Sequence, residues 1–462
     1  MYKLLLILRY LRRKIAPMFA VLAVTLCTAM VIIVISVMGG FLKLMTESAH
    51  ALEGDMTVIS GLRGFEHYEK LLEDVRQLPQ VEAATAVINN YGLLNLGNDF
   101  ITHVQIIGIN GDEFNKVIDY RDSLYWTPDR TAEHYPNSDL TELGMTLKPP
   151  ESWGPRPGIV LGIAISPTNE RNSKGQYDFI NSIVGRPIPV TLTAMLIQRS
   201  GTPSPRPKQM IVVNEFKSGL YEVDKLRVFV DFGFLQKTLQ MDRFEGKDEN
   251  DSPVVEPARA NDIMIKSRPD VSLDELEQAV SNVKEKFLNE HPSVTRLQAV
   301  TWKQRYATFL GAVEKEKFML TILFAIISVV AVVMIGVVFY MIVLEKTHDI
   351  GVLRAMGASR SGIAAIFLGY GITVGLIGAG LGLVLAAAVV YNINEIQDWL
   401  THTFGFTMWD PKIYFFDKIP ARLDPTEVVV IMVLSISSGL LGAVVPALLA
   451  GRLNPVEALR YE

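Results

Sequence analysis

The chain has 462 residues, of which 49% are hydrophobic and 20% charged, with a mean hydropathy of +0.25. That is too apolar for an ordinary soluble protein and too charged for one buried wholly in lipid, so membrane spans must alternate with a water-exposed region. A net charge of −5 forces no large basic surface on the fold and argues against a nucleic-acid binder.

The N-terminal stretch carries Lys3, Arg9, Arg12, Arg13 and Lys14, followed by the uncharged run Ala16 to Leu42. At about 27 residues the run exceeds a signal-peptide core and can cross about 30 Å of hydrocarbon. It is read as an uncleaved first span, within residues 1–44. Further uncharged runs at Phe318 to Leu344, Ser361 to Asn394 and Val428 to Gly451 predict spans at 317–344, 361–394 and 425–451. The single cysteine, Cys27, lies in the first run, so no intrachain disulfide can form.

Positive loops stay in the cytoplasm, which fixes the expected orientation. The N-terminal cluster, the loop with Lys346, Arg354 and Arg360, and the 452–462 tail with Arg452 and Arg460 belong inside. The 395–424 connection, with Glu395, Asp398, Asp410, Asp417 and Asp424, belongs outside. Residues 45–316 then form a large domain outside, in the periplasm of a double-membrane bacterium.

Within that domain, Asp55 to Ser60, Val81 to Ile88 and Ile101 to Ile109 read as strands and Tyr68 to Gln77 as a helix. Asp262 to Lys266, Leu273 to Leu288 and Val294 to Val300 repeat the strand-helix-strand order. The flanks 55–110 and 261–301 are therefore expected to form one membrane-proximal α+β subdomain. A β-rich insert, 111–260, has strand candidates Ile159 to Ile165, Ile188 to Leu196, Met210 to Glu215 and Leu226 to Val230. Tyr125 to Pro157 alternates poorly and reads as a long loop or decoration. Gln198 to Gln209, QRSGTPSPRPKQ, holds three prolines and is either an exposed hairpin tip or a partner-docking loop.

Glu345 to Arg360, EKTHDIGVLRAMGASR, is a charged island between two greasy runs. Ile350, Leu353 and Met356 recur at three- and four-residue spacing among Glu345, Lys346, Asp349, Arg354 and Arg360, so the segment is expected to form an interfacial helix. The sequence has no G-x-x-x-x-G-K-[ST] loop, no H-E-x-x-H and no G-x-S-x-G, which argues against catalysis or nucleotide binding by this chain.

EKTHDIGVLRAMGAS, followed by a span containing Gly369, Gly371, Gly375, Gly378, Gly380 and Gly382, resembles the core of FtsX/MacB-type ABC transporter permeases. SVMGGF at Ser36, GIVLG at Gly158, FKSGLYEVD at Phe216, YFFDKIPARLDPTEV at Tyr414 and NPVEALRYE at Asn454 extend the resemblance to the lipoprotein-releasing LolC/LolE branch. FKSGLYEVD is more reminiscent of LolE and EALRYE of LolC, so the partner permease is either identical or homologous. The resemblance implies an α-helical membrane protein with four transmembrane helices plus a large α+β periplasmic domain, the MacB/FtsX-like architecture.

It also implies a cytoplasmic coupling helix at 345–360 that meets a separate ABC ATPase, present in two copies and binding the ATP and Mg that this chain does not. Glu345, Asp349, Ile350, Leu353, Arg354, Gly357 and Arg360 would make that contact, with Ile350 and Leu353 filling a groove. By the same resemblance, Leu196 to Met210 corresponds to a hook for a periplasmic lipoprotein chaperone, with Pro203, Pro205, Arg206 and Pro207 as its loop. A lipoprotein cargo would shelter in a cavity lined by the first and second spans of two subunits, with Met38, Gly39 and Phe41 near its outer mouth; the alternative is that these residues face membrane lipid or another helix. Two other functions remain open: an FtsX-like regulator of a peptidoglycan hydrolase and a MacB-like efflux permease.

Overall fold

The computed structural model describes residues 15–51, 53–97, 100–130, 147–171, 177–178, 183–184, 186–197, 202–219, 221–247, 253–404 and 418–454. In chain order, α1 (Ile15–Ala51) leads to β1 (Met56–Ile59), β2 (Phe65–Glu66), α2 (Tyr68–Arg76), β3 (Val81–Asn95) and β4 (Ile101–Ile109). Then come α3 (Gly111–Val117), α4 (Tyr120–Ser123), β5 (Gly158–Gly162), β6 (Glu170–Arg171), β7 (Tyr177–Asp178), β8 (Pro189–Ile197) and β9 (Pro203–Phe216). They are followed by α5 (Tyr221–Leu226), β10 (Arg227–Asp231), α6 (Phe232–Thr238), β11 (Phe244–Lys247), β12 (Pro253–Glu256), β13 (Arg259–Ala260), β14 (Asp262–Ser267), α7 (Leu273–Glu290) and β15 (Gln298–Thr301). The rest is helical: α8 (Trp302–Arg305), α9 (Ala307–Glu345), α10 (Thr347–Ala355), α11 (Arg360–Tyr391), α12 (Ile393–Phe404) and α13 (Pro425–Arg452).

The chain divides into two compact units, one drawn from Met1–Leu44, Gly311–Trp409 and Ile419–Glu462, the other from Met45–Leu310 and Asp410–Lys418. In the first, four helices among the described residues are long and apolar enough to cross a membrane, with cores at Met18–Glu47, Ala307–Glu345, Arg360–Tyr391 and Pro425–Arg452. Lipid supplies no hydrophobic drive between helices, so they associate by close backbone approach at small residues. A Cβ placed on Gly439 of α13 would lie 2.8 Å from the Gly371 carbonyl oxygen and 2.9 Å from Gly375 Cα of α11. Asp424 fixes the start of α13, its carboxylate accepting from the Thr426 and Glu427 amides, with Pro425 at the first turn.

The second unit is built on one nine-stranded sheet in the order β15-β1-β14-β3-β4-β10-β5-β9-β8. β8 also pairs with β3, so β3, β4, β10, β5, β9 and β8 close into a barrel-like ring. The ring encloses a core that includes Ile106, Ile159, Leu161, Val212 and Val228. The outer strands β14, β1 and β15 form an open wing packed against α2 and α7 through Leu71, Val75, Leu276 and Val280. β3 serves both parts: Val81 to Val87 pairs with β14, and Ile88 to Asn95 pairs with β4.

Three expectations change. The strand expected over Val81 to Ile88 runs on to Asn95, so β3 and β4, assigned by sequence to the membrane-proximal flank, supply two of the ring strands. The strand expected at Val294 to Val300 starts only at Gln298, because His291 to Val294 turns while Val294 and Leu297 pack into the wing core. Pro203 to Pro207 is not a loop: it is the first half of β9, with Pro205 opposite Met195, Arg206 opposite Ala194 and Pro207 opposite Thr193. Residues 198–201 at the turn, and 131–146 of the expected decoration, lie outside the described residues.

The ring seam depends on Gly92, whose hypothetical Cβ would lie 2.2 Å from the Thr193 carbonyl oxygen on β8. Gly92→Val should force the β3–β8 seam apart and destabilise the domain by roughly 1–3 kcal/mol, the usual cost of overpacking. Thermal unfolding of the full-length protein in detergent tests this; an unchanged midpoint would show that the seam is not strained by a side chain there.

Candidate functional site

The segment between the second and third spans folds as the short helix α10, set off from α9 by the break at Lys346. Lys346 Nζ reaches Asp349 at 2.7 Å, and the helix ends at Gly357, which adopts φ +97°, a left-handed conformation that costs glycine nothing. Ser359 then caps α11, its hydroxyl accepting from the Gly362 amide.

One face of α10 is fastened to its own bundle. Ile350 is 3% exposed and joins the core formed by Ile342, Val343, Ile363 and Phe367. Arg354 Nη1 donates to the Gly451 carbonyl at the end of α13, 3.2 Å away. The expectation that Ile350 fills a partner groove is corrected on this point: it packs inward, and Leu353 beside it is half-buried. The exposed face carries Glu345, His348, Val352, Ala355 and Met356, with Val352 37% and Met356 72% exposed. Arg360 opens α11 and is exposed, while Asp349 is spent on Lys346. Apolar residues occur on both sides of this helix, and only the bundle decides which side turns inward. Sequence spacing therefore missed Val352.

In the sheet-rich unit, a buried charge cluster joins the points where the chain enters and leaves. Glu53, two residues after α1, is 5% exposed. Its Oε1 accepts from Arg227 Nη2 of β10 at 2.9 Å and its Oε2 from Arg305 Nη1 at 2.5 Å. Tyr306 Oη donates to the same Oε1 at 3.5 Å. Two residues on, Asp55 Oδ2 accepts from the Ser267 amide and hydroxyl, and its carbonyl accepts from the Trp302 amide. Asp262, beside this cluster, is pushed up to about 7 by burial, with Glu53 raising it further and Arg305 opposing. Composition gave no sign of this cluster, because Glu53, Arg227 and Arg305 meet only in the folded sheet.

Two further buried carboxyls lie on β9 and on α5. Glu215 is pushed up to about 7 by burial, against hydrogen bonds from Asn169 Nδ2 and Trp126 Nε1. Asp224 is pushed up to about 6 by burial, against donation from the Ser218 amide and hydroxyl. Trp126 thus pins the start of the expected decoration to β9 instead of leaving it loose.

Pro203, Pro205 and Pro207 are exposed on one side of β9, while Arg206 is half-buried on the other and lines a cavity of about 650 Å³ with Met195, Ile197 and Phe244. Met38, Gly39 and Phe41 are half-buried on α1. The close approach in that motif is made by Gly40, whose hypothetical Cβ would lie 2.6 Å from the Pro420 carbonyl oxygen. None of the three lines the cavity of about 320 Å³ found between α1, α9 and α13.

Residues 321–455 match the FtsX-like permease C-terminal family and residues 18–141 the MacB-like periplasmic core domain. The chain is 25% identical, over 98% of both chains, to the lipoprotein-releasing system transmembrane protein LolC of Neisseria meningitidis serogroup B. It is 25% identical to LolE of Haemophilus influenzae over 37% of this chain and 41% of that one. The periplasmic region of MacB from Actinobacillus actinomycetemcomitans aligns at 12% identity and a TM-score of 0.29, covering 58% of this chain and 97% of that one, too slight a likeness to carry argument. The resemblance to FtsX/MacB-type permeases, and to their LolC/LolE branch, is thus borne out along the length of the chain.

The three raised carboxyls share one sign of pH dependence. Each holds its proton in the folded state above its ordinary value of 3.8 or 4.5, so its contribution to stability is full below that value and is lost as pH rises through about 6 to about 7. The unfolding midpoint of the full-length protein should therefore fall between about pH 5 and about pH 8, and Asp262→Asn should flatten that slope. A slope of opposite sign, or one unchanged in Asp262→Asn, would contradict the assignment.

Proposed function

We propose that this FtsX/MacB-type ABC transporter permease is the membrane half of a lipoprotein-releasing machine driven by a separate ATPase that docks on the exposed face of α10. The observation that carries the reading is the two-sidedness of α10. Ile350 and Arg354 tie it to α11 and α13, while Val352 and Met356 stand exposed with Glu345 and His348. A push on that outer face would move the bundle with it, because the inner face is packed and hydrogen-bonded.

The charge pattern supports an orientation with α10, carrying Lys346, Arg354 and Arg360, and both termini on the cytoplasmic side, and the 45–316 domain in the periplasm. The chain has no phosphate loop, so nucleotide would bind the partner, and two ATPases would serve two permease subunits. Release needs such a drive. At about 0.8 kcal/mol per CH₂, two acyl chains of about sixteen carbons resist extraction by roughly 25 kcal/mol, so unaided departure is negligible. The full-length similarity to LolC supports lipoprotein as cargo, passed on to a periplasmic chaperone.

Val352→Asp with Met356→Asp should leave the protein inserted and folded while weakening ATPase docking by about 2 kcal/mol or more, roughly thirtyfold. Copurification with the ATPase and lipoprotein release from proteoliposomes read the two effects. Release at the wild-type rate would sink the docking face. A hydrolase or a small-molecule substrate captured in place of a lipoprotein would instead favour the regulator or the efflux pump.

A further inference from the structure

The groove between α1, α9 and α13 has a shape and an electrostatic end that the docking of an ATPase does not use. Cys27, Val31 and Ile35 form its α1 wall, and Phe324, Ala325 and Ser328 part of its α9 wall. Val430, Ile431, Leu434 and Ser435 close the α13 side. The volume is about 320 Å³, within the range of small-ligand sites.

The three walls run in register. On α9 the lining extends from Lys317 to Ser328, eleven residue steps, or about 16 Å at 1.5 Å per residue. That is one leaflet's depth, half of a hydrocarbon core about 30 Å thick. The inner end is closed by the hydroxyl-bearing floor of Ser328 and Ser435, where Thr28 Oγ1 donates to Ser435 Oγ at 2.9 Å. The outer end, nearest the start of α9 and of α13, carries Lys317 and Glu427, which form an ion pair. Ionisable side chains at the end of a span reach the headgroup region, where a lipid's own charges can meet them.

We infer that this groove holds one acyl chain of a zwitterionic phospholipid, with its phosphate against Lys317 and its ammonium against Glu427. The pairing of a cation and a carboxylate at one mouth is the complement of a headgroup that carries both charges. An anionic headgroup would meet Glu427 as a like charge, and the ester- and amide-linked end of a triacylated protein could accept from Lys317 but brings no cation to Glu427. The inference goes beyond the transport reading, since it concerns a resident lipid, and it holds whatever the permease carries.

The test is native mass spectrometry of the full-length protein, stripped in detergent and reloaded with palmitoyl-oleoyl phosphatidylethanolamine or phosphatidylglycerol. The wild type should retain one phosphatidylethanolamine per chain, severalfold in preference to phosphatidylglycerol. Ala325→Phe, which fills the groove, should lower that retention about tenfold, an affinity change of about 1.4 kcal/mol. Ala325→Ser, which leaves the groove open, should keep it. Glu427→Gln should erase the headgroup preference while a lipid is still retained.

Equal retention in Ala325→Phe and the wild type would overturn the inference. So would loss in Ala325→Ser as well as Ala325→Phe, or a preference that survives Glu427→Gln. Displacement of the bound lipid by a triacylated lipopeptide, with no headgroup selectivity in any variant, would assign the groove to cargo and likewise overturn it. Loss of the permease dimer in Ala325→Phe with lipid retention intact would assign it to a second copy. None of these readouts involves ATP or release, so failure here is distinguishable from failure of the transport reading.

Discussion

Glu53 is the residue on which the sheet-rich unit hangs. It is a buried carboxylate that accepts from two guanidinium groups, one on β10 in the middle of the ring and one at Arg305, where the chain leaves the unit. Removing one partner of a buried ion pair typically costs 3–5 kcal/mol, because the other charge is left without compensation. The arrangement therefore specifies a geometry more than it adds stability. It fixes the entry point, the exit point and the barrel-like ring to one another, and Asp55 repeats the fastening through Ser267 and Trp302. α1 runs unbroken to Ala51 and α9 begins at Ala307, so the helices that precede and follow the unit are covalently close to this clamp.

The helical unit follows the same logic with different chemistry. In lipid the backbone must satisfy itself, and helices gain contact by approaching closely. Gly371 and Gly375 of α11 receive Gly439 of α13, and Gly378 and Gly382 receive Val24 and Thr28 of α1. α10 is then anchored by the Ile350 side chain and by a guanidinium-to-carbonyl bond from Arg354. The anchor at Gly451 lies at the end of α13, so α10 is linked to both the third and the fourth span.

The spans were legible because uncharged runs of that length have one physical use, and the wing strands because alternation marks a half-buried surface. Four features were not legible, for three different reasons. Ring closure is a pairing between β3 and β8, far apart in sequence, and alternation says nothing about which strands meet. Ile350 sits among apolar residues on every side of α10, so spacing alone could not tell the anchored face from the exposed one. Lys317 and Glu427 lie at the ends of separate spans and read as ordinary flanking charges until α9 and α13 are side by side. The Glu53 cluster belongs to the same class: three charges scattered over the sequence became a site only through burial.

The misread prolines carry a consequence for any partner of the β8–β9 hairpin. Three prolines in a short stretch signal a turn, because each removes a ladder donor. Here Pro203, Pro205 and Pro207 occupy alternate positions, so their missing N–H groups all point to the same edge. The ladder to β8 survives along the whole stretch, so that edge is the outer one, which is where prolines are tolerated. The arm is thereby kept from pairing with a stray strand. The same feature limits how a chaperone could engage it. Strand addition needs backbone donors on the open edge, and this edge lacks them at every second residue. A partner must instead read the exposed proline face, a surface whose φ angles are fixed before contact and which loses little entropy on binding.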